Sequence, residues 1–388
     1  MIALTATTLF TPLDRIEWPL LLVEGGVVVE VASRAQREVP KNCLTVDFGD
    51  GILAPGFIDI HIHGGAGHDV MEANADALPP VERLIVSHGV SSYFPTTITA
   101  PVDTTLSALA RLADAIESAN GNPSDDGLRA RPLGIHLEGP FISHNRRGVH
   151  PPENLLAPSL AAFERFWQAA RGHIRVLTIA PELPGAIEVI TEAAKRGVCV
   201  SLGHSDADLA AARAGVAAGA RHATHTFNAM RPLDHRKPGI LGEVLTDARL
   251  SADVIADGIH LDSVAVQLFL KAKGAEAAVL ITDATAATGM PDGRYHLGAL
   301  EVEVKDGRCL AGGKLAGSVL TMDRAVRNVM QFAHWDLQQA VRLATVNPAR
   351  AAGVKNGGSI QAGAAADLVV LSPDGEVRKT IVRGAGIE

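Results

Sequence analysis

In Phe57-Ile58-Asp59-Ile60-His61-Ile62-His63, isoleucines alternate with three polar residues. A period of two predicts a β-strand that turns Asp59, His61 and His63 to one face. Short apolar runs of the same kind recur at residues 91–96, 132–138, 175–179, 198–202, 221–225, 250–256 and 278–283, and helical patterns stand between them at 81–88, 104–118, 160–170, 186–196, 208–218 and 263–273. Eight strands separated by helices predict an α/β fold, a parallel (β/α)8 TIM-like barrel. The polar face of residues 57–63 then points into the barrel.

The flanks read differently. Residues 1–54 show no helical period and carry β-branched runs such as Val27-Val28-Val29-Glu30-Val31. Beyond a glycine-rich link at 357–363, Asp367-Leu368-Val369-Val370-Leu371 and Thr380-Ile381-Val382 again read as strands. Both chain ends are therefore expected to build one small β-sandwich domain, from 1–54 and 357–388, around a barrel spanning 55–356.

With 47% hydrophobic and 20% charged residues, the 388-residue chain is composed like a folded globular protein rather than a disordered one. Its formal charge of −8 argues against nucleic acid as a partner and obliges an anionic substrate to find a local basic pocket. Three widely spaced cysteines, Cys43, Cys199 and Cys309, fit a reducing compartment. The absence of a basic start followed by an apolar run, and of any span-length apolar stretch, adds the expectation of a cytoplasmic protein without membrane association.

Barrel enzymes keep their chemistry at the C-terminal ends of the strands. Five of the eight runs end on a residue that can bind a metal: His61 and His63, Glu138, His204, His225 and Asp283. Imidazole and carboxylate donors without thiolates suit Zn²⁺, Fe²⁺, Mn²⁺ or Co²⁺ without choosing among them. A metal in such a site lowers the pKa of a water to about 7. Asp283, at the last rim, is then expected to be the proton acceptor and donor, with plain metal ligation as its alternative. His136 shares the face of Glu138 and is expected to pack rather than to ligate.

At this point several segments together resemble one family. Residues 55–64 (PGFIDIHIHG), 136–141 (HLEGPF), 203–207 (GHSDA), 225–230 (HTFNAM), 256–262 (ADGIHLD), 281–293 (ITDATAATGMPDG) and 315–322 (LAGSVLTM) are similar, in order and spacing, to the N-acetylglucosamine-6-phosphate deacetylases of the amidohydrolase superfamily. The resemblance implies a hydrolase of the acetamide of N-acetyl-D-glucosamine 6-phosphate, releasing acetate in amino-sugar recycling, and a homodimer. It implies that Glu138, His204 and His225 hold one divalent metal, Zn²⁺ first, and that His61 and His63 complete a second site. Some relatives carry Gln-x-Asn at that pair and hold a single ion, so one or two ions per subunit are expected. Asp283 becomes the acid/base residue and His150 the group that polarises the acetyl carbonyl.

Substrate contacts follow in the same way. They are Val149 and His150, Asn228 and Ala229 through backbone donors, Arg236 as the phosphate cation, His260 on the sugar hydroxyls, and Leu315, Ala316 and Gly317 over the acetyl group. Arg146 and Arg147 are read equally as phosphate steering and as solvated surface charge. Two alternatives stand beside this reading: another amide or cyclic-amide hydrolase of the superfamily, and a catalytically silent barrel.

Overall fold

The computed structural model describes residues 1–11, 14–119 and 128–387. Eight strands follow one another in the expected order: Phe57–Ile62, Val90–Thr97, Ile135–Glu138, Ile174–Ile179, Cys199–Leu202, His222–Ala223, Ala252–Ile255 and Ala278–Ile281. The first six pair in parallel with their neighbours, and the seventh pairs with the eighth. Two seams have no regular ladder among the described residues. Between the sixth and seventh strands, the Ser251 N–H donates to Arg221 O at 3.0 Å and the Thr226 N–H to Asp253 O at 2.9 Å. Between the eighth and first, a bridge joins Ala284 to Ile62, and the Asp283 N–H donates to His61 O at 2.9 Å.

Every residue of Phe57–Ile62 is buried. Ile58, Ile60 and Ile62 join the main apolar core, while Asp59 and His61 are fully covered inside the ring. The surrounding helices start on capping side chains that take up otherwise unpaired amides: Ser159 before Leu160–Ala169, Asp208 before Leu209–Ala218 and Asp262 before Ser263–Ala277. That last helix runs past the expected 273 but is interrupted at Gly274, whose φ of 66° is not helical. No helix of the described residues is long and apolar enough to cross a membrane.

Four helices and one insertion have no counterpart in the sequence reading. The helices are Gly239–Thr246, Met322–Ala333, Leu337–Leu343 and Val346–Ala351. The insertion is an antiparallel meander of Gly293–Leu297, Leu300–Lys305, Arg308–Ala311 and Lys314–Leu315, placed after the eighth strand. Its first turn is fixed to the barrel by the Gly298 N–H, which donates to buried Asp69 at 2.7 Å.

Strands from the two chain ends pair with each other. One sheet orders Val27–Ser33, Pro19–Glu24, Ile2–Thr5 and Leu44–Asp47, and a second orders Val377–Ile381, Leu368–Leu371, Ile52–Pro55, Thr8–Phe10 and Arg15–Glu17. Leu4, Leu21 and Val28 of the first share an apolar cluster with Leu9, Leu53, Leu368 and Val370 of the second.

Candidate metal centre

The rim residues converge on one buried point. His204 Nε2 and His225 Nε2 each lie 3.1 Å from Glu138 Oε1 and 3.0 Å from one another. Against the same carboxylate, His61 Nε2 stands 3.5 Å from Oε1 and His63 Nε2 stands 3.4 Å from Oε2, with 3.2 Å between the two rings' Nε2 atoms. Asp283 Oδ1 closes the group at 3.2 Å from His63 Nε2 and 3.4 Å from His61 Nε2. Two triads of donor atoms therefore share Glu138.

The local backbone explains why these side chains reach inward. The sixth and eighth strands stop at Ala223 and Ile281, two residues short of the expected ends, because His225 and Asp283 leave the ladder with φ of 28° and 50°; His204 has φ of 47°. Positive φ is unfavourable for such residues and recurs where function demands a direction the strand would not give. The turn bearing His204 is held by Glu182, which accepts the Ser205 hydroxyl and the Asp206 N–H, both at 2.7 Å.

Hydrogen bonds also fix which ring nitrogen is free. His63 Nδ1–H donates to Thr96 O at 2.9 Å and His204 Nδ1–H to Arg146 O at 3.0 Å. A carbonyl only accepts, so Nδ1 carries a proton in both rings, and in the neutral ring the lone pair is on Nε2, aimed at the centre. Ring nitrogens and carboxylate oxygens crowded at 3.0–3.5 Å need a proton or a metal cation among them. Those separations are also the edge length of a tetrahedron whose ligands lie at about 2.0–2.1 Å, roughly 3.3 Å. The donor set thus fits a divalent metal in each triad.

In the protein alone, protons supply the positive charge. Burial pushes the His225 pKa down, but the Glu138 carboxylate beside it prevails and raises it to about 9. His63 is likewise raised well above its usual value against burial, by Asp283 and Glu138. His204 goes the other way, to about 4, chiefly through burial. Burial would raise Asp283, yet the charges of His61 and His63 hold it near 2, so it is ionised at neutral pH.

His150 differs from the histidines of the two triads. Its Nδ1 accepts the Thr99 N–H at 3.3 Å and lies 2.8 Å from Thr99 Oγ1, which leaves the proton on Nε2, 3.5 Å from Glu138 Oε2. His136 has both nitrogens committed, to Ile60 O at 3.0 Å and Thr178 Oγ1 at 2.8 Å, and burial keeps it neutral. It packs edge-on against His61 and does not ligate.

The other expected contacts are placed unevenly. Gly317 lies against Asp283: a Cβ there would meet Asp283 O at 3.0 Å, and the next residue, Ser318, donates its N–H to that same oxygen at 2.7 Å. Ala316 is buried beside it and Leu315 is half-buried at the end of the meander. His260 Nδ1 is tied to Asp257 at 2.7 Å, and Val149 packs on the core. At Asn228 the backbone donor is not free, because its N–H goes to His225 O at 2.9 Å; the donor left is the buried side-chain amide, which has no protein partner among the described residues. Ala229 adopts φ of 51° and accepts the Ser205 N–H through its carbonyl.

Arg236 is exposed on the loop after His225 and makes no ion pair among the described residues. Arg146 is not free: it pairs with Asp206 at 2.8 Å, which also holds Arg231 at 3.3 Å, and Arg147 donates to His150 O at 3.3 Å. These arginines brace the loops that carry His204 and His150. The sequence reading missed Arg231, Asp206 and Glu182, which no local pattern distinguishes from surface charge.

Residues 52–386 match the model of the amidohydrolase family. An N-acetylglucosamine-6-phosphate deacetylase of Bos taurus is 41% identical, covering 87% of this chain and 84% of its own. An N-acetylgalactosamine-6-phosphate deacetylase of Escherichia coli O157:H7 is 39% identical, covering 86% and 87%. The solved structure of a point mutant of the N-acetyl-D-glucosamine-6-phosphate deacetylase of Mycobacterium smegmatis, in complex with N-acetyl-D-glucosamine-6-phosphate, superposes with a TM-score of 0.92 at 34% identity, covering 100% of this chain and 99% of that one.

Proposed function

Because the chain belongs to the amidohydrolase family, among its N-acetylglucosamine-6-phosphate deacetylases, we propose that it hydrolyses the acetamide of N-acetyl-D-glucosamine 6-phosphate to glucosamine 6-phosphate and acetate, in amino-sugar metabolism. The observation that carries this reading is the pair of triads on Glu138 with ionised Asp283 beside them. Glu138, His204 and His225 would hold one divalent ion and His61 and His63, with Glu138, a second; Zn²⁺ is the metal we favour, with Fe²⁺, Mn²⁺ or Co²⁺ as alternatives. When bound, the metal supplies Lewis-acid chemistry, acidifying a water and drawing charge off a carbonyl oxygen.

The chain's own residues do the rest. Asp283 accepts the proton of the attacking water and returns it to the amine nitrogen as the C–N bond breaks. His150 donates its Nε2–H to the acetyl oxygen as negative charge gathers there. Gly317 keeps the loop of Leu315 and Ala316 close over the acetyl group, Val149 lines the same pocket, and His260 meets the sugar hydroxyls. Asn228, Ala229 and Arg236 take the phosphate.

We read the two sheets from the chain ends as a small β-sandwich domain, 1–54 with 357–388, flanking the 55–356 barrel. A homodimer fits the exposed apolar Leu233, Val264 and Leu268, and the composition fits a cytoplasmic enzyme. The galactosamine epimer is the second reading, favoured by the 39% identity of the E. coli enzyme. Acetate release is measured from N-acetylglucosamine 6-phosphate, its galactosamine epimer and unphosphorylated N-acetylglucosamine. A preference for the first supports the assignment, a preference for the epimer shifts it to the second reading, and no release from any sinks both.

A further inference from the structure

The four histidines of the centre are anchored in two different ways. His63 and His204 hold their rings through Nδ1–H bonds to Thr96 O and Arg146 O. His61 and His225 have a buried Nδ1 with no hydrogen-bond partner among the described residues. In these two the backbone is gripped instead: the His61 N–H donates to Asp59 Oδ1 at 3.2 Å, and the His225 N–H to Asp253 Oδ1. Each triad thus has one ligand whose direction is set by a buried aspartate.

At His225 that device is the more elaborate. Asp253 is 1% exposed and sits on the seventh strand, across the seam where no ladder ties the sixth strand to it. Its second oxygen, Oδ2, lies 2.9 Å from Nε2 of fully buried His222, whose Nδ1 lies 2.7 Å from Ser251 Oγ. Burying a polar pair inside a barrel carries a desolvation cost that an apolar pair of the same size would avoid. The pair also holds His225 at φ of 28°, a conformation that a free strand end would relax.

We infer that Asp253, clamped by His222, is a positioning residue that fixes His225 as a metal ligand in place of the missing ring anchor. The inference rests on the reading of His225 as a ligand and adds a residue pair that the comparisons do not assign. Outer partners of ligands typically change metal affinity by 10–100-fold when removed, which sets the scale of the test.

The test is Co²⁺ titration of metal-depleted protein, followed by the visible absorption of the bound ion. Asp253→Ala is expected to weaken Co²⁺ binding by about tenfold or more and to alter the absorption bands, with KM for substrate unchanged at saturating metal. Asp253→Asn keeps an oxygen for the His225 N–H and should restore the bands, with a loss of roughly threefold or less. A variant that melts earlier but binds Co²⁺ with unchanged affinity and spectrum overturns the inference, because a purely structural pair predicts that result. Should Asp253→Ala not fold, His222→Ala carries the same test; unchanged affinity there overturns the clamp. Wild-type protein that binds no Co²⁺ overturns the underlying assignment of His225 itself.

Discussion

His204 Nε2 and His225 Nε2 stand 3.0 Å apart against the same oxygen of Glu138. Two imidazole nitrogens hold that separation only with a proton or a metal ion between them, and a metal binds all the donors at once. Chelating the metal should therefore lower the melting temperature, and adding Zn²⁺ back should restore it. A ligand at a thousand times its dissociation constant stabilises by about 4 kcal/mol, so the shift is readily seen by scanning calorimetry. No difference between chelated and reloaded protein would remove metal from the centre.

The metal's benefit should grow with pH. His225 has its pKa raised from 6.5 to about 9 in the folded, metal-free protein. Its contribution to stability is thus complete below 6.5 and lost as pH climbs through 9. A metal must displace that same proton, so it competes better as pH rises. Metal-free protein should lose stability between pH 6.5 and 9, while the rise in melting temperature on adding metal becomes larger. A metal-induced shift that is flat across this window contradicts the raised pKa.

Asp283 is held near pKa 2 by the charges of His61 and His63, against the effect of burial. Asp283→Asn keeps the shape and removes the proposed proton acceptor. Turnover should fall by about 10²–10⁴-fold with KM nearly unchanged. Metal content, measured by atomic emission, should stay at the wild-type level. Loss of metal together with activity would make Asp283 a ligand first and a base second.

Much of this centre was legible in the sequence because it lies on strands. The period of two in residues 57–63 placed His61 and His63 inside the barrel, and the strand ends supplied Glu138, His204, His225 and Asp283. What a strand period does not carry is the departure from it: the positive φ of His204, His225 and Asp283, which turns each side chain across the mouth. The braces were illegible for another reason. Glu182, Asp206 and Asp253 act on residues brought near only by folding. The meander was the avoidable omission, since Leu300-Glu301-Val302-Glu303-Val304-Lys305 alternates cleanly and Asp306-Gly307 marks its turn.

Gly317 is a glycine for two separate reasons. Its φ is 61°, and a Cβ would meet Thr285 Cγ2 at 2.5 Å and Asp283 O at 3.0 Å. Gly317→Ala should displace the loop or the Asp283 backbone. A misplacement near 1 Å at a reacting group costs on the order of 10²-fold in rate, so kcat is expected to fall by about that much. Metal binding should persist. Wild-type kcat in this variant would mean that the loop adjusts without moving Asp283.

Arg236 and Lys237 on the 231–238 loop have no ion pair among the described residues, whereas Arg146, Arg147 and Arg231 are tied to Asp206 or to the His150 carbonyl. An uncommitted guanidinium on the loop that follows Asn228 and Ala229 is suited to grip a phosphate with two parallel hydrogen bonds. Hydrogen bonds to charged groups contribute about 1.5–3 kcal/mol, or roughly 10–100-fold in binding. Arg236→Ala should raise KM for N-acetylglucosamine 6-phosphate by that factor. Activity on the unphosphorylated sugar should be unaffected, and Arg236→Lys should recover only part, because an ammonium cannot reproduce the fork. Equal losses on both sugars would place Arg236 outside the phosphate pocket and return its role to loop structure.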